Sequence, residues 1–266
     1  MQLAVVTQGE GHRTAILVHG IMSGAEAWHR VAADLDAAGY RVLAVDLAGH
    51  GSSPRAARYS AASWTDDVVE TVAPLLDGPP DLVMGHSLGS VVAGEVATRL
   101  GARSAIYVDP AFAFPRGVKG AAFKAAFAMA PRPSRRMLAR MNPKWSEVDL
   151  EIEVSTVARW DRRTILAFVR TAWLRPPRHL GIPTLVVLAE KSLLITDRAR
   201  SALVERGMIV LRLGGTGHTV FRDDHGAFMR TITEWLAQVP GPRLRAARAR
   251  PSSHPVGRLG GCSWSS

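Results

Sequence analysis

Hydrophobic residues occur along the chain in short runs, separated by longer segments in which they recur every three or four positions. The runs cover residues 14–18, 41–45, 81–84, 104–108, 183–188 and 208–213. Several are apolar almost throughout, which is typical of strands in a parallel sheet covered on both faces. The alternation of such strands with helical patterns predicts an α/β fold with a mostly parallel, doubly wound sheet flanked by helices. Residues 2–7 are predicted to add an antiparallel edge strand.

The segments between the runs show helical periodicity. The predicted helices include residues 25–38, 87–100 and 228–239. A further helix is predicted to open with a capping box from Ser63 to Asp66, and another with a box from Ser146 to Asp149. Asp161 is predicted to be the N-cap of a later helix. These helices would cover the two faces of the sheet.

One connection is too long for an ordinary crossover helix. It links the run at 104–108 to the run at 183–188 and contains several helical patterns. We therefore predict a core of residues 1–110 and 181–240. Residues 111–180, called the inserted segment below, are predicted to form a helical lid. Residues 241–266 lack periodicity and are predicted to be a disordered basic tail.

The formal net charge of +10 is unevenly distributed. Residues 112–180 contain 14 Lys and Arg against 5 Asp and Glu, and residues 241–266 contain five Arg and no acid. The rest of the chain is consequently mildly acidic. Because no aromatic-plus-basic motif accompanies these charges, they predict solvated surfaces rather than a nucleic-acid partner.

Targeting signals are not evident in the sequence. The first residues lack the cationic start and apolar run of a signal peptide, and no stretch approaches the ~18 apolar residues of a membrane span. Cys262 is the single cysteine and cannot form an internal disulfide. These features predict a cytoplasmic protein without a membrane span.

The strongest chemical motif is Gly85-His86-Ser87-Leu88-Gly89, which has the form G-x-S-x-G. It lies between the apolar run at 81–84 and a predicted helix, the strand–turn–helix context of a nucleophile elbow. The serine of such an elbow has a strained backbone, so the residues two positions away must be small. The motif predicts that Ser87 is a nucleophile at a helix N-terminus.

Over residues 14–239 the chain resembles the α/β-hydrolase family. Besides the elbow, three segments match the family pattern in the same order: LVHGI at 17–21, DLAGHGSS at 46–53 and GGTGH at 214–218. The resemblance implies that His218 is the general base for Ser87. It also implies an oxyanion hole formed by the backbone N–H groups of Leu88 and Ile21, with Met22 as the second choice for the latter.

The acid of the implied triad departs from the family pattern. Ser192 stands where an aspartate usually follows the strand predicted at 183–188. Three alternatives remain open. Asp109, at the end of the preceding strand, is the first candidate, and Asp197 is the second, although it could instead cap the following helix. The third alternative is that no acid completes the triad.

The inserted segment is rich in aromatic residues, which predicts an apolar pocket over the carboxyl ends of the strands. Phe112, Trp145 and Met22 are the predicted substrate contacts. The implied function is hydrolysis of a small, partly apolar carboxylic ester or lactone through an acyl-enzyme. Alternatives are C–C bond or thioester hydrolysis, acyl transfer, or a noncatalytic binding module. No cofactor or metal is expected, because no cofactor or metal-site motif is present.

Overall fold

The computed structural model describes residues 1–112, 122, 125–126, 129–170 and 181–239. Its strands form a seven-stranded sheet in the order β1-β3-β2-β4-β5-β6-β7. The strands are β1 (Val5–Gln8), β2 (Arg13–Val18), β3 (Tyr40–Val45), β4 (Leu82–His86), β5 (Ala105–Val108), β6 (Thr184–Ala189) and β7 (Ile209–Leu213). Only β1 is antiparallel to its neighbour within this described sheet. The predicted fold class, a mostly parallel sheet flanked by helices, is confirmed.

Among the described residues, each connection from β2 to β7 contains at least one helix, and two helices follow β7. They are α1 (His29–Ala37), α2 (Ala61–Val72), α3 (Leu88–Arg99), α4 (Arg135–Met141), α5 (Glu147–Arg159), α6 (Thr164–Arg170), α7 (Asp197–Glu205), α8 (Val220–Asp223) and α9 (His225–Gln238). A short 3-10 turn, Ala25–Trp28, precedes α1. Helices α4 to α6 belong to the inserted segment. The predicted tail, residues 241–266, lies outside the described residues.

Two hydrophobic clusters cover the two faces of the sheet. Residues of β4 alternate between them because successive side chains of a strand point to opposite faces. Val83 packs in the cluster that contains α2 and α3. Met84 packs in the cluster that contains α1 and α9. All five residues of β4 are buried, so the strand that leads to Ser87 is held on both sides.

The start of α2 differs from the prediction. The capping box lies at Ser60 and Ser63 rather than at Ser63 and Asp66. The hydroxyl of Ser60 accepts a hydrogen bond from the Ser63 N–H, and the hydroxyl of Ser63 accepts one from the Ser60 N–H. The prediction was wrong because a serine takes the place of the usual acid at the third helical position. Asp66 instead forms an ion pair with Arg99.

The other predicted helix starts are closer to the structure. The capping box of Ser146 and Asp149 is present at the start of α5. Asp161 accepts a hydrogen bond from the Arg163 N–H, in the turn that precedes α6. Among the described residues, no helix has both the length and the apolar composition needed to cross a lipid bilayer.

Replacing Gly89 by Ala is expected to destabilise the protein by about 1–3 kcal/mol, even though alanine favours helices. A Cβ atom at Gly89 would lie 2.3 Å from the carbonyl oxygens of Val18 and His19, which are backbone atoms and cannot rotate away. Gly78→Ala is the matched control, because a Cβ there meets nothing within 4 Å. Urea denaturation of both variants measures the difference, and equal stabilities would contradict the expected crowding.

Candidate active site

Ser87 forms the whole connection between β4 and α3. Its backbone angles, φ 51° and ψ −118°, lie in a region that non-glycine residues rarely adopt. Three backbone hydrogen bonds hold the turn: the Ser87 N–H donates to Val108, and its carbonyl accepts from Ser90 and Ala111. The side chain is buried, with the residue 3% exposed. The strained backbone of Ser87 is therefore held by β5, by the residue Ala111 that follows it and by the first turn of α3.

The two glycines of the motif allow close packing at this turn. A Cβ on Gly85 would lie 2.4 Å from the carbonyl oxygen of Gly89. A Cβ on Gly89 would meet the backbone at the end of β2. Both distances are far below van der Waals contact, so the requirement for small residues two positions from Ser87 has a direct steric cause.

Positive backbone φ angles mark one edge of the sheet. Among the described residues, the non-glycine residues with positive φ are Met22, Ser87 and Asp109, at 67°, 51° and 36°. They follow β2, β4 and β5, which are adjacent and parallel in the sheet. Such conformations cost about 1–3 kcal/mol each and cluster at functional sites. All three residues were candidates from the sequence, and the fold brings them to the same end of the sheet.

His218 lies in the loop between β7 and α8. Its Nδ1 atom is 2.6 Å from Oδ2 of Asp109. The other carboxylate oxygen of Asp109 accepts a hydrogen bond from the Ala189 N–H at 3.3 Å. The Asp109 side chain is 1% exposed, whereas that of His218 is 46% exposed. The structure thus pairs a buried carboxylate with an accessible imidazole.

Asp197, the second candidate for the acid, lies at the start of α7 and contacts Arg212. Asp197 is the first residue of α7, its side chain is 90% exposed, and it contacts Arg212 at 3.3 Å. The N-cap of α7 is Thr196 rather than Asp197. The hydroxyl of Ser192 accepts hydrogen bonds from the N–H groups of Leu194 and Ile195, so it stabilises a turn. Of the two carboxylates considered from the sequence, the structure brings Asp109 to His218.

His86, next to Ser87 in the sequence, contacts the His218 loop. Its Nε2 atom donates to the carbonyl oxygen of His218 at 3.0 Å, and the two rings are 4.6 Å apart. Burial lowers the pKa of His86 well below the ordinary value for histidine, and the neighbouring His218 lowers it further. A buried neutral imidazole that donates to a carbonyl supports the backbone of the loop.

The oxyanion-hole candidates belong to two turns that approach each other, one after β4 and one after β2. Leu88 is the first residue of α3, so its N–H has no carbonyl partner within the helix. Ile21 follows Gly20 at the end of β2. A Cβ on Gly20 would lie 3.1 Å from Cβ of Ser87, which shows how closely the two turns approach. Positive helix-dipole charge also favours an anion at the start of α3.

The sequence motifs did not assign a role to Asp46. Its carboxylate accepts hydrogen bonds from the N–H groups of Ala25 and Ser52, at 2.7 and 2.8 Å. Nearby, His19 donates to Gly20 and accepts from the next residue of the Asp46 loop, Leu47. These bonds tie the turn that contains Ile21 to the loop after β3. The Asp-to-Ser spacing of the DLAGHGSS segment was the available signal.

The predicted substrate contacts have different environments. Phe112 is 3% exposed, and its ring packs edge-on against Tyr107 in the core. Trp145 is partly exposed and contacts Arg222 and Asp223, which lie just after the His218 loop. Met22 is half-buried in the turn after β2. Of these three, Phe112 has the least surface available to a ligand.

The match to a known family covers most of the chain. A family model described as "Alpha/beta hydrolase family" matches residues 15–231, a span that includes Ser87, Asp109 and His218. The chain belongs to the alpha/beta hydrolase family. In this alpha/beta hydrolase, the G-x-S-x-G segment and the His218 loop both lie within the matched span.

Curated relatives of this alpha/beta hydrolase match over a shorter span. "Probable esterase PIR7A" of Oryza sativa subsp. indica is 36% identical over 84 residues, or 31% of this chain and 32% of that protein. "Methylesterase 3" of Arabidopsis thaliana is 30% identical over 89 residues, or 32% and 34% of the two chains. The matched region thus spans about a third of the length of these relatives.

Solved structures share the fold of this alpha/beta hydrolase at low sequence identity. An esterase from Exiguobacterium antarcticum has a TM-score of 0.73 at 17% identity, covering 88% of this chain and 95% of that chain. A thioesterase domain from the curacin biosynthetic pathway has a TM-score of 0.69 at 22% identity, covering 87% and 95%. These similarities establish the architecture.

Proposed function

We propose that this alpha/beta hydrolase cleaves a small, partly apolar carboxylic ester or lactone through an acyl-enzyme formed on Ser87. The observation that carries the proposal is the 2.6 Å contact between His218 and the buried Asp109, at the same sheet edge as the strained Ser87. A nucleophile, a base and a carboxylate that orients the base are the parts required for acyl transfer. The names of the relatives described above also support an esterase.

In the proposed reaction, Nε2 of His218 removes the proton of the Ser87 hydroxyl while its oxygen attacks the ester carbonyl. Asp109 holds Nδ1–H and stabilises the imidazolium that forms. The backbone N–H groups of Leu88 and Ile21 bind the negatively charged oxygen of the tetrahedral intermediate. His218 then returns the proton to the departing alkoxide, leaving an acyl-Ser87.

Deacylation repeats these steps with water as the nucleophile. His218 removes a proton from water, the resulting hydroxide attacks the acyl carbonyl, and the proton passes back to Ser87 as the carboxylic acid leaves. Each backbone donor of an oxyanion hole contributes about 2.7–4 kcal/mol to such steps. The two carboxylate contacts of Asp109 support the same imidazole orientation in both halves of the reaction.

The inserted segment is proposed to form the lid of the substrate pocket. Helix α5 approaches the turn that follows Ile21 and Met22, since a Cβ on Gly24 would lie 3.0 Å from a methyl group of Thr156. At the other end of the segment, Phe112 follows Ala111, whose N–H donates to the Ser87 carbonyl. Phe112, Trp145 and Met22 are proposed to contact the apolar part of the substrate.

Reaction with a fluorophosphonate probe tests the proposed function. We expect the folded protein to be labelled once, with the label mapped by peptide mass spectrometry to Ser87, and heat-denatured protein to remain unlabelled. A panel of p-nitrophenyl esters of increasing acyl length, with matched thioesters, should show preferential turnover of short acyl esters. No labelling of the folded protein, together with no turnover of the panel, would argue for a noncatalytic binding protein.

A further inference from the structure

A hydrogen-bonded bridge links the inserted segment to the loop that carries His218. The indole Nε1 of Trp145 donates to Oδ1 of Asp223 at 3.1 Å. The other carboxylate oxygen, Oδ2, accepts a hydrogen bond from the Gly217 N–H at 2.6 Å. Gly217 immediately precedes His218. One carboxylate therefore joins a tryptophan just before α5 to the backbone next to the proposed base.

The ring of Trp145 also contacts the side chain of Arg222, besides its hydrogen bond to Asp223. The guanidinium of Arg222 lies 4.5 Å from the centre of its ring, within the range of a cation–π contact. Arg222 is 3% exposed and forms ion pairs with two acids of α5, Glu153 at 2.8 Å and Asp149 at 3.4 Å. Because Arg222 and Asp223 are consecutive, α5 and Trp145 together hold the segment just after His218.

A second contact, close to the Trp145 bridge, also joins the inserted segment to the His218 loop. The ammonium group of Lys144 donates to the carbonyl oxygen of Gly215 at 2.6 Å, and the N–H of Gly215 donates to Glu190. The loop is thus bonded to the inserted segment on one side and to the end of β6 on the other. Lys144 is exposed, so its contact is exchangeable with water, whereas the hydrogen bond from Trp145 to Asp223 is partly buried and the one from Gly217 to Asp223 is exposed.

From this bridge we propose that Trp145 is a positioning residue, which acts through Asp223 to hold His218 against Asp109. The inference rests on the proposed serine-hydrolase function. If the indole N–H is removed, Oδ1 of Asp223 loses its donor and the carboxylate can rotate away from Gly217. Two glycines, Gly215 and Gly217, flank Thr216 in this loop and give it little intrinsic stiffness. A displacement of about 1 Å at a reacting group can cost about 10²-fold in rate.

The test compares two pairs of matched variants. Trp145→Phe keeps an aromatic ring and removes the indole donor, and Trp160→Phe is its control because that indole donates to Thr164 within the inserted segment. Asp223→Asn removes one acceptor oxygen, and Asp224→Asn is its control with the same change of charge at the N-cap of α9. Thermal unfolding of all four proteins monitors the fold.

Kinetics distinguish positioning from substrate contact. We expect Trp145→Phe and Asp223→Asn each to lower kcat by about 10- to 100-fold, with KM changed by less than about threefold. Because Trp145 acts through Asp223, the double variant should be no slower than Asp223→Asn alone. A rise in KM with unchanged kcat would mean that Trp145 acts through substrate contact alone and does not position His218, which would overturn the proposal, as would equal losses in the control variants.

A proton NMR readout is independent of turnover. The Nδ1–H proton shared between His218 and Asp109 should give a downfield resonance in the wild type, in Trp160→Phe and in Asp224→Asn. It should broaden or disappear in Trp145→Phe and Asp223→Asn. If no ester is hydrolysed but the resonance behaves in this way, the positioning inference stands while the proposed function fails. Absence of the resonance in the wild type, or its persistence in Trp145→Phe, overturns the inference.

Discussion

Replacing Ser87 by Ala is expected to lower kcat for the preferred ester by about 10⁶-fold, because loss of the nucleophile in a serine protease triad has an effect of that size. The residual rate would come from the oxyanion donors and from binding of the ester. The fold should persist, since the backbone bonds of the elbow do not involve the hydroxyl group. Steady-state kinetics and fluorophosphonate labelling, both compared with the wild type, measure the loss.

The control for this variant is a second buried serine that is remote from the candidate site. Ser104 precedes β5, is fully buried, and donates to the carbonyl oxygen of Asp81 at 2.6 Å. Ser104→Ala loses one hydrogen bond and about 1 kcal/mol of stability but should keep its activity. If Ser87→Ala retained more than about 1% of wild-type turnover, an acyl-enzyme on Ser87 could not be the main route.

The sheet and the elbow could be predicted because their signals are local. A strand buried on both faces is apolar along most of its length, as the sequences LVMGH of β4 and TLVVLA of β6 show. The residues two positions before and after Ser87 are glycines, and a Cβ atom added at either position would collide with the backbone. The residues that answer each constraint lie within a few positions of one another, so the sequence pattern shows it directly, even though the backbone that a Cβ on Gly89 would meet belongs to the end of β2.

The pairing of Asp109 with His218 could not be derived from local sequence pattern. Asp109 and His218 are 109 residues apart, and their contact depends on which loops the sheet order brings together. Strand β5 lies beside β6, and this adjacency places Asp109 where the Ala189 N–H can bond it. Ser192 was informative only as a departure from the family pattern, which left the position of the acid open.

The bridge from Trp145 was missed for a related reason. Its aromatic character predicted a substrate contact, but its hydrogen-bonding edge is directed to Asp223. An aromatic residue in an inserted helical segment has no sequence feature that separates these roles. The capping box of α2 shows the same limit on a smaller scale, because Ser63 can close a box in which an acid was expected.

Replacing Asp109 by Asn is expected to lower kcat by about 10⁴-fold, as the corresponding change does in a serine protease triad. Oδ1 of Asp109 accepts from the Ala189 N–H, and Oδ2 faces Nδ1 of His218. An asparagine has a single acceptor oxygen, so its NH₂ group must face one of these two donors. If the NH₂ faces His218, it favours the tautomer with the proton on Nε2, which cannot accept the proton of Ser87.

The opposite orientation of that asparagine is also unfavourable, because the NH₂ would then oppose the Ala189 N–H in a buried site. In either orientation the imidazolium loses the negative charge that stabilises it. Asp197→Asn is the matched control: it makes the same chemical change at an exposed carboxylate that contacts Arg212. Measured kcat values should fall for Asp109→Asn alone. Equal losses in the two variants, or a larger loss in Asp197→Asn, would rule out Asp109 as the carboxylate that orients His218.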